Sequence, residues 1–161
     1  MKTVSRLIIF ALIMLPAFIN ARDKKENQMS GKAEHQTKKI ISTQKSPKAI
    51  GPYNQGIVAG GFLFTSGQLP MNPKTGEIAS SIEVQTKQVL DNLKAIIEAA
   101  GSSMENVVKC TVYLKNMNDF DAVNKIYSTY FQNNPPARVC VEVSKMAKNA
   151  LVEIDAIAFI D

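Results

Sequence analysis

Arg138, Cys140 and Glu142 alternate with Val139 and Val141 in the segment PPARVCVEV, residues 135–143. Strand side chains point to opposite faces in turn, so a cation, a thiol and a carboxylate share one side of this segment. A forked guanidinium on such a face can grip a carboxylate or phosphate ligand, and a nearby acid can move a proton. Glu153 and Asp155 share a face of the last apolar segment, ALVEIDAIAFI, in the same way. If the two segments pair as a hairpin, Arg138 lies near one of these acids. The plain alternative is then a cross-strand ion pair on a solvated face, worth a few tenths to ~1 kcal/mol.

Three further positions suggest chemistry, each with a simpler reading beside it. Cys140 is either a nucleophile or a small packed side chain, and the second fits better because the one histidine, His35, lies near the N-terminus and leaves the domain without a base. Tyr53 follows Gly51-Pro52 in a loop before a strand, placed either to pack or to set its ring over a ligand. Ser66-Gly67 ends a strand, where glycine lets a ligand approach the backbone or simply makes a turn.

The elements that must position these residues follow from pattern. GIVA and FLFTSG flank Gly60-Gly61 and read as a hairpin, since paired glycines supply the positive φ of a two-residue loop. Ser80 and Glu83 fit a capping box opening a helix over 81–100, where Val89, Leu93, Ile96, Ile97 and Ala100 form one apolar stripe. VVKCTVYL, residues 107–114, reads as a strand. Asn118 can cap a second helix whose apolar face is Phe120, Val123, Tyr127, Tyr130 and Phe131, stopped by NNPP. Two final strands follow. The class is α+β: one mostly antiparallel sheet of about six strands with two helices on one face. The uncovered face keeps large residues such as Phe62 and Phe64, so an oligomer that buries it is expected.

The 161-residue chain has a net charge of +5, unevenly spread. Lys2 and Arg6 precede an apolar run from Leu7 to Ile19, and a signal sequence over residues 1–21 is expected, ending near Ala21, with an uncleaved membrane anchor as the alternative. Residues 22–39 form a charged tail with six cations and three anions, leaving eleven of each sign in residues 40–161. The expected domain is therefore neutral. The basic pI of the whole chain, about 9.2, therefore says nothing about a nucleic-acid groove in the domain, and nucleic acid is not an expected partner. No stable membrane span is expected after signal cleavage, and the expected location is periplasmic or secreted. Cys110 and Cys140 leave a disulfide open in such a compartment.

The segments SPKAIGPYNQGI, FTSGQLPMNPKTGEI, QVLDNLKAIIEAAG, VVKCTVYLKNMNDFDAVNKIY and PPARVCVEV…ALVEIDAIA together resemble the RidA (YjgF) family of reactive imine and enamine deaminases over residues 40–161. The resemblance implies a chorismate-mutase-like fold and a homotrimer whose three sheets form a central barrel, with ligand clefts between subunits. It places the carboxylate-binding arginine at Arg138, a neighbouring cysteine at Cys140, the water-placing acid at Glu153 and the site tyrosine at Tyr53. It also places the cleft lining at Ser66 and Gly67, and a second-helix asparagine at Asn124. It implies hydrolysis of 2-imino acids to 2-keto acids and ammonia, with small-molecule 2-imino or 2-keto acid ligands and no metal or organic cofactor. The alternatives are a non-catalytic small-molecule binder, a stress-activated chaperone-like protein or a ribonuclease. Neutral charge weighs against the last. The family's best-known members lack a leader, so the physiological substrate of a protein with one is open.

Overall fold

The computed structural model describes residues 37–160. The expected signal sequence, His35 and most of the expected tail lie outside the described residues. Among the described residues six strands are present: β1 (Lys39–Ile41), β2 (Gly56–Ala59), β3 (Phe62–Thr65), β4 (Val107–Leu114), β5 (Ala137–Glu142) and β6 (Val152–Phe159). Two helices, α1 (Ile82–Ala99) and α2 (Phe120–Tyr130), complete the frame. β1 opens at Lys39, a residue assigned to the tail on sequence grounds.

The strands form one sheet in the order β1-β2-β3-β6-β4-β5. Every pair is antiparallel except β4 with β5, which is parallel. A parallel pair needs a crossover rather than a tight turn, and α2 supplies it between β4 and β5. The condition that β5 and β6 pair as a hairpin is therefore not met, because β4 lies between those two strands. The β2–β3 hairpin is as expected, with Gly60 and Gly61 at φ 58° and 78°.

Alternation sets the two faces. Val152, Ile154, Ala156 and Ala158 of β6 are buried, as are Cys110, Val112 and Leu114 of β4. They join Leu90, Leu93, Ile96 and Ile97 of α1 and Val123 and Tyr127 of α2 in one hydrophobic core. Each fully buried Leu or Ile there contributes roughly 1.5–3 kcal/mol. On the opposite face, Phe62 packs on Phe159 with ring centroids 4.8 Å apart. Phe64 and Phe159 remain 45% and 48% exposed. An apolar sheet face open to water matches the sequence expectation.

Both helix caps differ from expectation. Ser81, not Ser80, caps α1, its hydroxyl accepting from the Val84 amide at 3.3 Å. Asn118 does not cap α2. Instead Asn116 accepts from the Asn118 amide at 3.0 Å and starts a single 3₁₀ turn, Met117–Asp119, that leads into the helix. Glu142 accepts from the Met117 amide at 2.8 Å, so this carboxylate ties β5 to the start of α2 and is used up in the frame.

Candidate active site

The parallel register sets Arg138 beside Cys110, and Cys110 lies beside Ala156 of β6. Cys110 and Ala156 are buried beneath the helices, so Arg138 and Cys140 project to the helix-covered side of edge strand β5. Glu153 and Asp155 alternate with the buried β6 residues and project to the opposite face. An ion pair between Arg138 and either acid of its own chain is thus precluded by topology. Among the described residues the ion pairs are Lys87–Asp91 and Lys94–Glu98, so the Arg138 charge is not spent on an acid. It rests instead against aromatic faces, with its Cζ 4.6 Å from the Tyr127 ring centroid and 5.6 Å from that of Phe120.

Asn124 sits on α2 between those two aromatics, four residues after Phe120 and three before Tyr127, hence on the same side of the helix. Arg138 and Cys140 thus share the helix-covered side of β5, and Asn124 lies on the side of α2 that carries the two rings against Arg138. Both cysteines are free thiols. Burial pushes Cys140 up while the neighbouring Arg138 pulls it down, and burial drives Cys110 up to about 11. Neither is a ready thiolate nucleophile at neutral pH.

Tyr53, Ser66, Gly67 and Glu153 form a second group around a cavity of about 380 Å³. The Tyr53 ring is 47% exposed, and its hydroxyl accepts from the Ile50 amide at 3.3 Å. Ser66 donates to the Asn54 carbonyl at 2.6 Å, joining the Tyr53 loop to the end of β3. Gly67 explains itself by contact. A Cβ built there overlaps Glu153 Oε1 and lies 3.0 Å from its Cδ, so the carboxylate lies directly on the glycine backbone. Glu153 also borders an adjoining cavity of about 280 Å³ with Tyr113, Lys145 and Asp155.

Burial first, and the Asp155 charge second, raise the Glu153 carboxyl above its ordinary value. A carboxylate held this way is a better proton acceptor near neutral pH than a solvated one. The Tyr113 hydroxyl donates to Asp155 Oδ2 at 3.2 Å and keeps that anion in place. Because Asp155 disfavours a second negative charge, Asp155→Asn lets Glu153 ionise at lower pH. The Glu153 carboxyl, followed by carboxyl ¹³C NMR, is expected to titrate at lower pH in that variant, and an unmoved titration would mean that Asp155 does not tune Glu153.

Four buried amides that pattern reading overlooked hold the loops around this cavity. Gln55 accepts from the Thr43 amide at 2.6 Å and donates to the Pro47 carbonyl at 2.7 Å. Gln68 pairs with Ile154 through both backbone groups, and its side chain accepts from Ser46 at 3.1 Å. Gln85 accepts from the Leu151 amide at 2.8 Å, and Asn92 donates to the Leu69 and Met71 carbonyls, both at 2.9 Å. Gln85 and Asn92 fall on the apolar stripe of α1, and a polar residue on a core stripe was the available signal.

Residues 43–160 match the family model described as Endoribonuclease L-PSP. A RutC family protein of Pyrococcus horikoshii is 57% identical over 123 residues, covering 76% of this chain and 98% of that protein. The 2-iminobutanoate/2-iminopropanoate deaminase of Escherichia coli is 49% identical over 123 residues, covering 74% and 96%. The solved structure of E. coli TdcF with bound serine superposes with a TM-score of 0.74 at 44% identity, covering 76% of this chain and 99% of that one. The chain belongs to the endoribonuclease L-PSP family, also known as the RidA (YjgF) family.

Proposed function

We propose that the protein hydrolyses reactive 2-enamine and 2-imino acids of the 2-aminoacrylate type to 2-keto acids and ammonia. The supporting observation is the separation of Arg138 from Glu153 on opposite sides of one sheet, each uncommitted to the other. Two half-sites of this kind become one site when a second copy brings its Glu153 cavity against the Arg138 edge. The open apolar face gives such copies a reason to associate, and a homotrimer that closes its three sheets into a barrel satisfies it.

In that cleft Arg138 binds the substrate carboxylate through two parallel N–H donors. Tyr53, Ser66, Gly67 and Asn124 line the remaining space. Glu153 of the neighbouring copy accepts a proton from a water molecule, and the water oxygen bonds to the imine carbon. The C=N electron pair moves to nitrogen, which takes up the proton held by Glu153. In the resulting carbinolamine the hydroxyl proton passes by way of Glu153 to the amino nitrogen, the C–N bond breaks, and ammonia leaves the keto acid. Holding water and imine together supplies much of the acceleration. This chemistry agrees with the activity for which the E. coli relative is named.

A coupled assay that generates 2-aminoacrylate tests the reading. Glu153→Gln keeps the shape of the side chain but cannot take the water proton, and is expected to slow keto-acid release by about 10²-fold. Release at the wild-type rate would remove Glu153 from the reaction. A second reading, binding without turnover, is favoured by the serine in the TdcF structure, an amino acid with a carboxylate and no imine. It gains if a 2-keto acid binds while no variant alters keto-acid release.

A further inference from the structure

We propose that Tyr127 is a positioning residue: its buried ring is the platform that fixes the plane of the Arg138 guanidinium for carboxylate binding. This deepens the reading above and rests on Arg138 being the carboxylate holder. An arginine rooted on the helix-covered side of an edge strand must run out from beneath α2 to reach a ligand. Along that path its guanidinium carbon lies 4.6 Å from the Tyr127 ring centroid, the nearer of two aromatic rings.

The choice of an aromatic neighbour has a consequence. A carboxylate neighbour would orient the guanidinium but would occupy its in-plane donors and cancel its charge. A ring face orients the same group by cation–π attraction and leaves the five N–H donors free. No ion pair among the described residues involves Arg138, so orientation by the ring is what remains.

The ring is itself held. Tyr127 is 6% exposed, and its centroid lies 4.6 Å from that of Phe131. Its hydroxyl is buried against the Cys110 thiol and has no oxygen or nitrogen partner. Burial and the Phe131 contact hold the ring in place against the guanidinium. Arg138 is thereby preorganised, and the entropy of ordering a long side chain is already lost before ligand arrives.

Full-length protein, its Tyr127→Leu, Tyr127→Phe and Arg138→Ala variants, and 2-oxobutanoate as the probe decide the matter. Tyr127→Leu is expected to weaken 2-oxobutanoate binding and raise KM about tenfold, with kcat changed less than about threefold. Tyr127→Phe keeps the ring and is expected to bind within about twofold of wild type. Wild-type affinity in Tyr127→Leu, or equal losses in the Leu and Phe variants, overturns the platform. Wild-type affinity in Arg138→Ala overturns the carboxylate role of Arg138 instead, so the two failures are distinct. If Tyr127→Leu does not fold, the Arg138 Nε–H proton of the wild type carries the test. A ring-current upfield shift supports stacking, and a shift at the random-coil position overturns it.

Discussion

Arg138→Ala is expected to reduce kcat/KM for a 2-imino acid by about 10²- to 10⁴-fold while leaving the fold intact. Two charge-assisted hydrogen bonds to one carboxylate are worth roughly 3–6 kcal/mol in a desolvated cleft, and that range converts to the stated loss. The fold is spared because Arg138 makes no ion pair with its own chain among the described residues. Its removal forfeits only packing on Tyr127 and Phe120, about 0.5–1 kcal/mol at a partly exposed site. Steady-state kinetics alongside thermal melting separate the two effects. Arg138→Lys keeps the charge without the fork and is expected to fall between the parents. A variant that melts far below wild type would show that the guanidinium holds the fold together and is not held in reserve for a ligand.

Gly67→Ala is expected to cost about 10- to 100-fold in kcat, the range for a misplaced reacting group. The φ of Gly67 lies outside the left-handed region, so alanine is compatible with the backbone and the effect is one of contact. The added methyl occupies the space of the Glu153 carboxylate, which must swing away from its present position. A double variant gives the sharper reading. If Gly67 matters only by seating Glu153, then Gly67→Ala adds nothing once Glu153→Gln is present. Full additivity would place the role of Gly67 elsewhere in the cleft. Glu153 also carries a stability consequence. Its carboxyl is raised in the folded state, so the folded protein holds the proton more tightly than the unfolded chain does. Stability therefore falls as pH rises through the window between the unfolded and folded values, and Glu153→Gln removes that fall.

Much of the frame was legible because it is written in local periodicity. The alternation in ARVCVEV put Arg138 and Cys140 on one side, and β5 keeps them there. The apolar stripe of Val89, Leu93, Ile96 and Ile97 located α1, and those residues are its buried face. The exposed Phe64 followed from counting two helices against two sheet faces. What local pattern does not carry is the order of strands. Consecutive apolar strands suggest a hairpin, yet β4 inserts between β5 and β6, and that single choice moves Arg138 away from Glu153. Capping was misplaced by one residue at α1 because the Ser80–Glu83 spacing fits a capping box, whereas the adjacent Ser81 makes the cap. The loop-holding amides, Gln55 and Gln68 above all, looked like ordinary surface residues in the sequence. Their burial depends on loop carbonyls and amides that only the folded chain brings to them. Family resemblance named Tyr53, Ser66, Gly67 and Glu153 as site residues together with Arg138, Cys140 and Asn124, and the first four line a cavity that the other three do not line.

Subunit mixing tests most directly whether Arg138 and Glu153 work together across two copies. Arg138→Ala and Glu153→Gln proteins, each expected to be slowed at least about 10²-fold alone, are unfolded together in equal amounts and refolded together. A cleft built from the Arg138 of one copy and the Glu153 of the next regains both groups in about a quarter of the random pairings, so about a quarter of wild-type activity is expected to return. A mixture no more active than its two parents would show that the two side chains are not completed by a neighbour.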